Sequence, residues 1–286
     1  MNVEMIDTAP ALQAFITDLP ENTNDQPSLY VDLEGNDLSR NGTLSLITIL
    51  VEPRHTVHLI DVKTLGAAAF TTSDSNGKSI QQILESKDTI KVFFDIRNDS
   101  DALFSLFGVH VAGIEDVQLM EVASRTSSKR LLNGLAKCIE RDAPISLTDK
   151  REWRAVKDEG HRLFDPARGG SFAVFDERPL TPAMQKYCVQ DVLHMPALHS
   201  TYRAKIGNAW WAKVQEETTA RIALSQSPNF NGKGRHMAEA RHSWRSGEDS
   251  QVPHHRSWTW KMKLTNKSHR MVIQASKSPW RSYRQA

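Results

Sequence analysis

Two carboxylates stand two residues apart in the stretch YVDLEG near the start of the chain. The neighbouring residues are apolar and β-branched, which predicts a β-strand, and alternate residues of a strand project from the same face. Asp32 and Glu34 therefore point to one side, and Val31 and Leu33 point to the other. Carboxylates this close repel each other unless a cation or several donors compensate. The strand is either an exposed edge with its polar face in water or a carrier of acids for a bound cation.

More acids cluster at a predicted strand-to-helix junction in KVFFDIRNDSDALFSLFG. Asn98 is a suitable helix N-cap, and Gly108 is a suitable helix end. In that register Asp101 lies three residues after the cap, where a carboxylate stabilises the exposed helix amides, so it has a structural explanation. Asp99, at the first helical position, points back towards the sheet end and is the better metal-ligand candidate. The choice between Asp99 and Asp101 depends on this register.

A third pattern lies on a predicted late helix, TPAMQKYCVQDVLHM. Thr181 followed by Pro182 is typical of a helix start. Tyr187 and Asp191 are four residues apart and therefore share one helix face. On its own, this pair is also explained by an ordinary packed tyrosine and a solvated acid.

The order of the predicted elements indicates how these acids are positioned. The stretches SLYVDLEG, TLSLITILVE and HTVHLIDV predict an antiparallel meander. They are followed by a strand at TIKVFFDI, a helix at NDSDALFSLFG and a strand near GIEDVQLME, and the pattern is helical from about Ser128. Three strands followed by alternating β and α units predict an α/β fold with a mixed sheet flanked by helices.

The stretches VDLEG, VFFDIRNDSDAL and YCVQD together resemble the three exonuclease motifs of the DEDD superfamily of 3′–5′ exonucleases. They resemble most the tyrosine branch, which includes ribonuclease D, the Werner-type exonuclease, and Egalitarian-like and fungal exonuclease-domain proteins, because position 186 is Lys where the sister branch has His. The resemblance covers about residues 25–205 and implies a ribonuclease H-like fold with a mixed five-stranded sheet. It also implies that Tyr187 orients the attacking water and that four acids bind metal, namely Asp32, Glu34, Asp99 and Asp191.

The chemistry implied by this resemblance is phosphodiester hydrolysis. Two divalent ions can neutralise charge on the attacking and the leaving oxygen, and oxygen ligands suit Mg²⁺ or Mn²⁺ better than zinc. The expected products are nucleoside 5′-monophosphates from a single-stranded or frayed 3′ end of a nucleic acid. The alternative is a nucleic-acid-binding or adaptor module on an exonuclease fold, although retention of all four acids and the tyrosine favours an enzyme. The sequence does not distinguish RNA from DNA.

Basic residues are concentrated between the second and third motifs. There we predict contacts with backbone phosphates, which position a strand without reading its sequence. The alternative is a solvated helix face with charge pairs, and Trp153 is expected to pack. The main candidates are Lys129, Arg130, Arg151 and Arg154, and the same stretch also contains Lys137, Lys150, Lys157 and Arg162.

The net charge of the last sixty residues is opposite in sign to that of the rest of the chain. Residues 227–286 contain 12 Lys and Arg against 3 Asp and Glu, a net charge of +9, whereas residues 1–226 carry a net charge of −7. We predict a lead-in at 1–24, the exonuclease-like domain at 25–226, and a disordered basic tail at 227–286. With four tryptophans, the tail is either a nucleic-acid-binding arm or a solvated appendage. A protein that bound RNA through this tail alone would lose all activity on its deletion.

Composition and termini predict an intracellular protein, in the nucleus or the cytoplasm, that is not secreted. Cys138 and Cys188 are the only cysteines and lie in helical patterns, which favours reduced thiols over a disulfide framework. There is no apolar run of about 18 residues for a membrane span. The first residues also lack the basic and apolar regions of a secretory signal.

Overall fold

A mixed β-sheet lies at the centre of the fold. The computed structural model describes residues 2–20, 27–52 and 54–245. Within these residues the sheet has six strands: β1 (Asn2–Ile6), β2 (Leu29–Glu34), β3 (Leu46–Val51), β4 (Thr56–Asp61), β5 (Lys91–Phe93) and β6 (Ile114–Asp116).

Helices follow and separate the strands. They are α1 (Ala9–Asp18), α2 (Val62–Leu65), α3 (Ala68–Thr71), α4 (Ile80–Glu85), α5 (Arg97–Phe107), α6 (Val117–Ser124), α7 (Leu135–Asp142), α8 (Leu147–Phe164), α9 (Pro182–Leu193), α10 (Met195–Arg203), α11 (Asn208–Ser225) and α12 (His242–Arg245). Short 3₁₀ turns occur at Pro166–Arg168, Phe172–Phe175 and Arg235–Ala238.

The strand order is β1-β4-β3-β2-β5-β6. Strands β2, β3 and β4 form the predicted antiparallel meander, and β5 and β6 extend the sheet in parallel from β2. The mixed α/β architecture flanked by helices is therefore confirmed. The sixth strand is β1, which pairs in parallel with β4 inside the segment that the sequence predicted as a lead-in. It was missed because it is only five residues long, although Val3 and Met5 alternate with polar residues.

Apolar side chains on the two faces of the sheet form two separate cores. Val31 and Leu33 of β2 pack into the core formed with α1, α3, α4 and α5. Tyr30, on the opposite face, packs into the core formed with helices α6 to α11. Alternation along β2 therefore places Asp32 and Glu34 on the face covered by the later helices, among them α9.

Two predicted elements differ from the structure. The stretch VQLME, predicted as strand, is helical, because the buried Asp116 side chain accepts hydrogen bonds from the amides of Gln118 and Leu119 and starts α6. Residues 129–134, predicted as helix, are not helical, and α7 begins only after Gly134. Cys138 in α7 and Cys188 in α9 are buried free thiols, as expected. None of the described helices combines the length and apolar character needed to cross a membrane.

The chain keeps making defined contacts beyond the predicted domain boundary at residue 226. The guanidinium of Arg40 donates hydrogen bonds to the carbonyls of Ser225, Ser227 and Pro228 at 2.8 to 2.9 Å. Arg40 also pairs with Asp101 of α5. The exit from α11 is therefore fastened to the loop that follows β2.

The segment after this exit packs on the domain instead of starting a tail. The Leu132 amide donates to the Ala238 carbonyl, and the Ala240 amide donates to the Arg130 carbonyl, each at 3.0 Å. Trp244, one of the four tryptophans of the predicted tail, is buried and packs edge-on against Trp210 at 5.5 Å. The predicted start of the tail at residue 227 is thus too early. Residues 246–286, which include the other three of these tryptophans, lie outside the described residues.

Lys91 of β5 is a fully buried lysine, and its side-chain nitrogen donates to the Ser86 carbonyl at 2.6 Å. Burial lowers the pKa of Lys91 from 10.5 to about 7. The unfolded chain therefore keeps a proton on Lys91 that the folded chain loses, so folded-state stability should rise with pH between about 7 and 10.5. We expect Lys91→Met to raise the free energy of unfolding by about 1–3 kcal/mol at pH 6–7. Thermal melting across pH measures this, and the gain should shrink towards pH 10; a variant less stable at every pH would contradict it.

Candidate active site

Three carboxylates converge at the end of β2. Oxygen atoms of Asp32, Glu34 and Asp191 all lie within 4.8 Å of one another, and each side chain is partly buried. Strand β2 presents the first two, and α9 presents the third. Gly35 is required directly after Glu34, because a Cβ there would lie 1.9 Å from the Thr43 carbonyl oxygen.

Asp99 lies beside this cluster on the first turn of α5. Its carboxyl is buried, and the nearby backbone amide of Leu33, the residue between the two acids of β2, favours its ionised form. Its negative charge also acts on both Asp32 and Glu34. The structure therefore brings together the four acids that the sequence singled out, although Asp99 is outside the closest group of three.

The start of α5 differs from the predicted register. The helix begins at Arg97, after Ile96 as N-cap, and Asn98 lies in its first turn. The buried Asp116 carboxylate, at the end of β6, accepts hydrogen bonds from the amides of Asp95 and Ile96 at 3.0 and 3.3 Å. The side chain that stabilises the start of α5 therefore belongs to a strand about twenty residues further along the chain.

Two arginines pair with the aspartates at the start of α5. Arg221 of α11 donates to Asp116 at 2.7 Å and lies 3.4 Å from Asp95. Arg97 forms two hydrogen bonds with Asp95, at 2.6 and 2.5 Å. Burial alone would raise the pKa of Asp95, but the hydrogen bonds and positive charge of Arg97 and Arg221 hold it below its ordinary value. Asp95 also adopts a left-handed conformation, with φ of 63°, which turns the chain from β5 into α5.

Asp101 has a structural partner away from the cluster. Its carboxylate accepts hydrogen bonds from the Arg40 backbone amide at 2.9 Å and from the Arg40 guanidinium at 2.7 Å. Only 3% of its side chain is exposed. The prediction that Asp101 has a structural explanation therefore agrees with the structure, but Arg40 supplies that explanation and the helix N-terminus does not.

Tyr187 lies on α9, one turn before Asp191, and is held by a close aromatic environment. Its ring packs edge-on against Phe164 at 5.1 Å and His161 at 5.9 Å. Gly160 of α8 lies directly under it, since a Cβ at that position would be 2.1 Å from the Tyr187 ring. No local pattern indicates this requirement, because the contact joins two helices. The predicted helix start is confirmed: Thr181 accepts from the Met184 amide, and Pro182 is the first helical residue.

The protein environment disfavours negative charge on Asp32, Glu34 and Asp99. Burial, followed by the charges of neighbouring acids, raises the pKa of Asp32 and of Glu34 well above their ordinary values. Burial and the charge of Asp95 raise the pKa of Asp99 to about 8. Burial and the nearby carboxylates raise the pKa of Tyr187 far above its ordinary value, so its hydroxyl stays protonated at neutral pH. Acids held together at this energetic cost form a site suited to a cation.

A family model described as 3′–5′ exonuclease matches residues 3–206. The chain belongs to this 3′–5′ exonuclease family. The match spans all three motifs, and the domain is accordingly a DEDD-type 3′–5′ exonuclease domain.

Individual relatives are more distant. The chain is 35% identical over 97 residues to the mouse piRNA biogenesis protein EXD1, a match covering 34% of this chain and 16% of that protein. It is similar in fold to Trypanosoma brucei RNase D in complex with RNA U12, with 22% identity, a TM-score of 0.64, and coverage of 85% of this chain and 78% of that one. Brucella melitensis NrnC with bound Mg²⁺ has 17% identity and a TM-score of 0.50, covering 81% of this chain and 98% of that one. At 22% and 17% identity, these two solved structures show the fold of this domain alone.

The predicted phosphate-contacting residues of the exonuclease domain lie in different environments. Arg130 and Arg151 are exposed. Arg154 pairs with Glu140, and the Lys129 ammonium lies 4.8 Å from the Trp210 ring centroid. Trp153 is buried, as expected, and its indole donates to the Gln190 carbonyl at 3.3 Å.

Lys157 is the residue of the basic stretch whose position the sequence did not predict. It is buried, and its ammonium hydrogen-bonds both carboxylate oxygens of Asp191. Lys157 lies four residues after Trp153 and three before Gly160, and these three are the buried positions of α8, whereas Arg151 and Arg154 are exposed.

Proposed function

We propose that this domain is a metal-dependent exonuclease that hydrolyses the terminal phosphodiester at the 3′ end of a nucleic acid and releases nucleoside 5′-monophosphates. The observation that carries the proposal is the convergence of Asp32, Glu34 and Asp191 oxygens within 4.8 Å, with Asp99 beside them. Its membership of the 3′–5′ exonuclease family supports the same reaction.

The carboxylate cluster fits a hard divalent cation. Asp32, Glu34 and Asp191 offer only oxygen ligands, which Mg²⁺ and Mn²⁺ prefer. Among the described residues, no histidine or cysteine joins this group. We infer that these three acids hold one ion and that Asp99 with Asp32 holds a second. When bound, such ions lower the pKa of water and neutralise charge on the attacking and leaving oxygens.

The protein's own groups have distinct roles in this proposal. Tyr187 keeps its proton, so its hydroxyl orients a water molecule by hydrogen bonding and does not act as a base. Gly160, Phe164 and His161 fix the ring and hence the position of that hydroxyl. The arginine network around Asp116 fixes the turn that presents Asp99.

The test is a degradation assay on a 5′-labelled single-stranded oligonucleotide with Mg²⁺ or Mn²⁺. We expect a ladder of products shortened one nucleotide at a time from the 3′ end, and EDTA should stop the reaction. RNA and DNA of identical sequence, run side by side, determine the substrate class. Internal cleavage, or binding without shortening, would contradict the proposal, and the second outcome would favour an adaptor module.

We further propose that nucleic-acid phosphates contact a basic surface formed by α7, α8 and the residues before α7. Two adjacent hollows on this surface share Arg141. One contains Arg130 and Lys137, and the other contains Lys150, Arg151 and Arg154. The RNA complex of the structurally similar T. brucei RNase D is consistent with a nucleic-acid substrate.

Charge removal on this surface should weaken binding without slowing the chemical step. We expect Arg141→Gln combined with Arg151→Gln to raise KM about tenfold and leave kcat nearly unchanged, since phosphate contacts supply sequence-independent affinity. The slope of log KM against log salt should decrease by about 0.7 for each phosphate of a single strand that the variant no longer neutralises. Lys78→Gln combined with Lys87→Gln makes the same change in net charge elsewhere and is the matched control. An equal effect of both pairs would show that only net charge matters.

A further inference from the structure

A lysine side chain lies against the carboxylate cluster and pairs with Asp191. Lys157 extends from α8, and only 8% of the residue is exposed. Its ammonium donates to the two Asp191 oxygens at 2.7 and 2.6 Å. The same nitrogen lies 3.3 Å from the centroid of the Tyr187 ring.

This ammonium is the counter-charge for several acids at once. Besides its direct pair with Asp191, its positive charge favours the ionised forms of Asp32 and Glu34. Its contact with the face of Tyr187 is a cation–π interaction with a partly desolvated ring. A single side chain therefore contacts both functional residues of α9 and partly offsets the repulsion between α9 and β2.

Helix α8 supports these functional groups at successive positions on one side. Gly160, three residues after Lys157, leaves space for the Tyr187 ring, and His161, four residues after Lys157, packs edge-on against that ring. A helix places residues three and four apart on a common face. The position of the Lys157 ammonium is consequently fixed by the same packing that fixes Tyr187.

We propose that Lys157 is a positioning residue that stabilises the metal-free site and competes with divalent cations for Asp191. This inference rests on the proposed function, because it assumes that Asp32, Glu34 and Asp191 hold a divalent ion. Both oxygens of Asp191 are engaged by Lys157, so an ion that binds this carboxylate takes at least one of them from the ammonium. The positive charge of Lys157 also repels an incoming cation. Lys157 therefore keeps the acids ordered without metal and lowers the affinity of the site for metal.

The test compares Mn²⁺ binding, measured by calorimetry, with thermal unfolding in EDTA. We expect Lys157→Met to bind Mn²⁺ on the order of tenfold more tightly than the wild type, because a like charge a few ångströms from the ion is removed. The variant should also melt at a lower temperature than the wild type in EDTA, and Mn²⁺ should raise its melting temperature by more. Neither readout depends on catalysis.

Two further variants serve as controls. Lys157→Arg keeps the positive charge and should retain an affinity close to that of the wild type. Lys186→Met removes an exposed lysine from α9, the helix that carries Asp191, and should leave both readouts unchanged. If Lys157→Met does not fold, Lys157→Gln keeps a hydrogen-bond donor without the charge and should tighten Mn²⁺ binding in the same direction.

The possible failures have different signatures. Unchanged or weaker Mn²⁺ binding by folded Lys157→Met or Lys157→Gln, in a protein whose wild type degrades nucleic acid, would overturn the role of Lys157 alone. A wild type that binds no Mn²⁺ and degrades neither RNA nor DNA would overturn the proposed function together with this inference.

Discussion

Replacing Asp32 by Asn is expected to reduce exonuclease turnover by far more than a hundredfold while the protein remains folded. Asp32 is central to the acid cluster, and its charge interacts with Glu34, Asp99 and Asp191. Loss of a group that only supports a metal ligand typically costs 10–100-fold in affinity or activity. Loss of a residue that we propose ligates both ions should cost more. Single-turnover degradation of a labelled oligonucleotide at saturating Mg²⁺ measures the effect.

The same substitution should not destabilise the metal-free protein. Burial and the charges of neighbouring acids raise the folded-state pKa of Asp32, so its ionised form disfavours folding at neutral pH. Neutral Asn removes this cost, and the melting temperature of Asp32→Asn in EDTA should equal or exceed that of the wild type. Asp88→Asn, at an exposed position, is the control and should retain activity. Wild-type turnover in Asp32→Asn would exclude this cluster as the catalytic site.

Asp99→Asn is expected to reduce turnover, whereas Asp101→Asn is expected to reduce stability. Asp99 lies beside the cluster, and its charge acts on Asp32 and Glu34, so its replacement should reduce turnover by at least about a hundredfold with little change in stability. Asp101 is bound to Arg40, which also fastens the exit from α11. Its replacement should lower the free energy of unfolding by about 2 kcal/mol and retain most of the turnover at low temperature.

Paired measurements of turnover and thermal melting separate these two aspartates. A shift of about 2 kcal/mol corresponds to roughly 4–8 °C in a domain of this size. A large loss of turnover in folded Asp101→Asn, together with an active Asp99→Asn, would mean that the second acidic motif has been placed two residues too early.

The sequence predicts the parts of this site that depend on local periodicity. Alternation along β2 correctly places Asp32 and Glu34 on one face, because a strand repeats every two residues. Helical spacing correctly places Tyr187 and Asp191 on one side of α9. The meander is also predictable, since its strands are apolar and separated by short turns.

Contacts between distant segments could not be predicted in this way. Asp116, on β6, anchors the start of α5, so the local N-cap rule wrongly selected Asn98. Lys157 and Arg151 have similar sequence surroundings, yet one is buried against Asp191 and the other is exposed. Trp244 lies in a polar, basic stretch, but it packs against Trp210. In each case a long-range partner outweighs the local composition.

The most direct test of the central claim is hydrolysis of a 3′-terminal phosphodiester in ¹⁸O-labelled water. Wild-type protein with Mg²⁺ should release nucleoside 5′-monophosphates that carry one ¹⁸O atom on the phosphate, because water attacks phosphorus and the 3′ oxygen leaves with the shortened strand. Asp32→Asn protein prepared in the same way should release labelled product more than a hundredfold more slowly. Nucleoside 3′-phosphates as products, or labelled 5′-monophosphate from Asp32→Asn at the wild-type rate, would contradict the account.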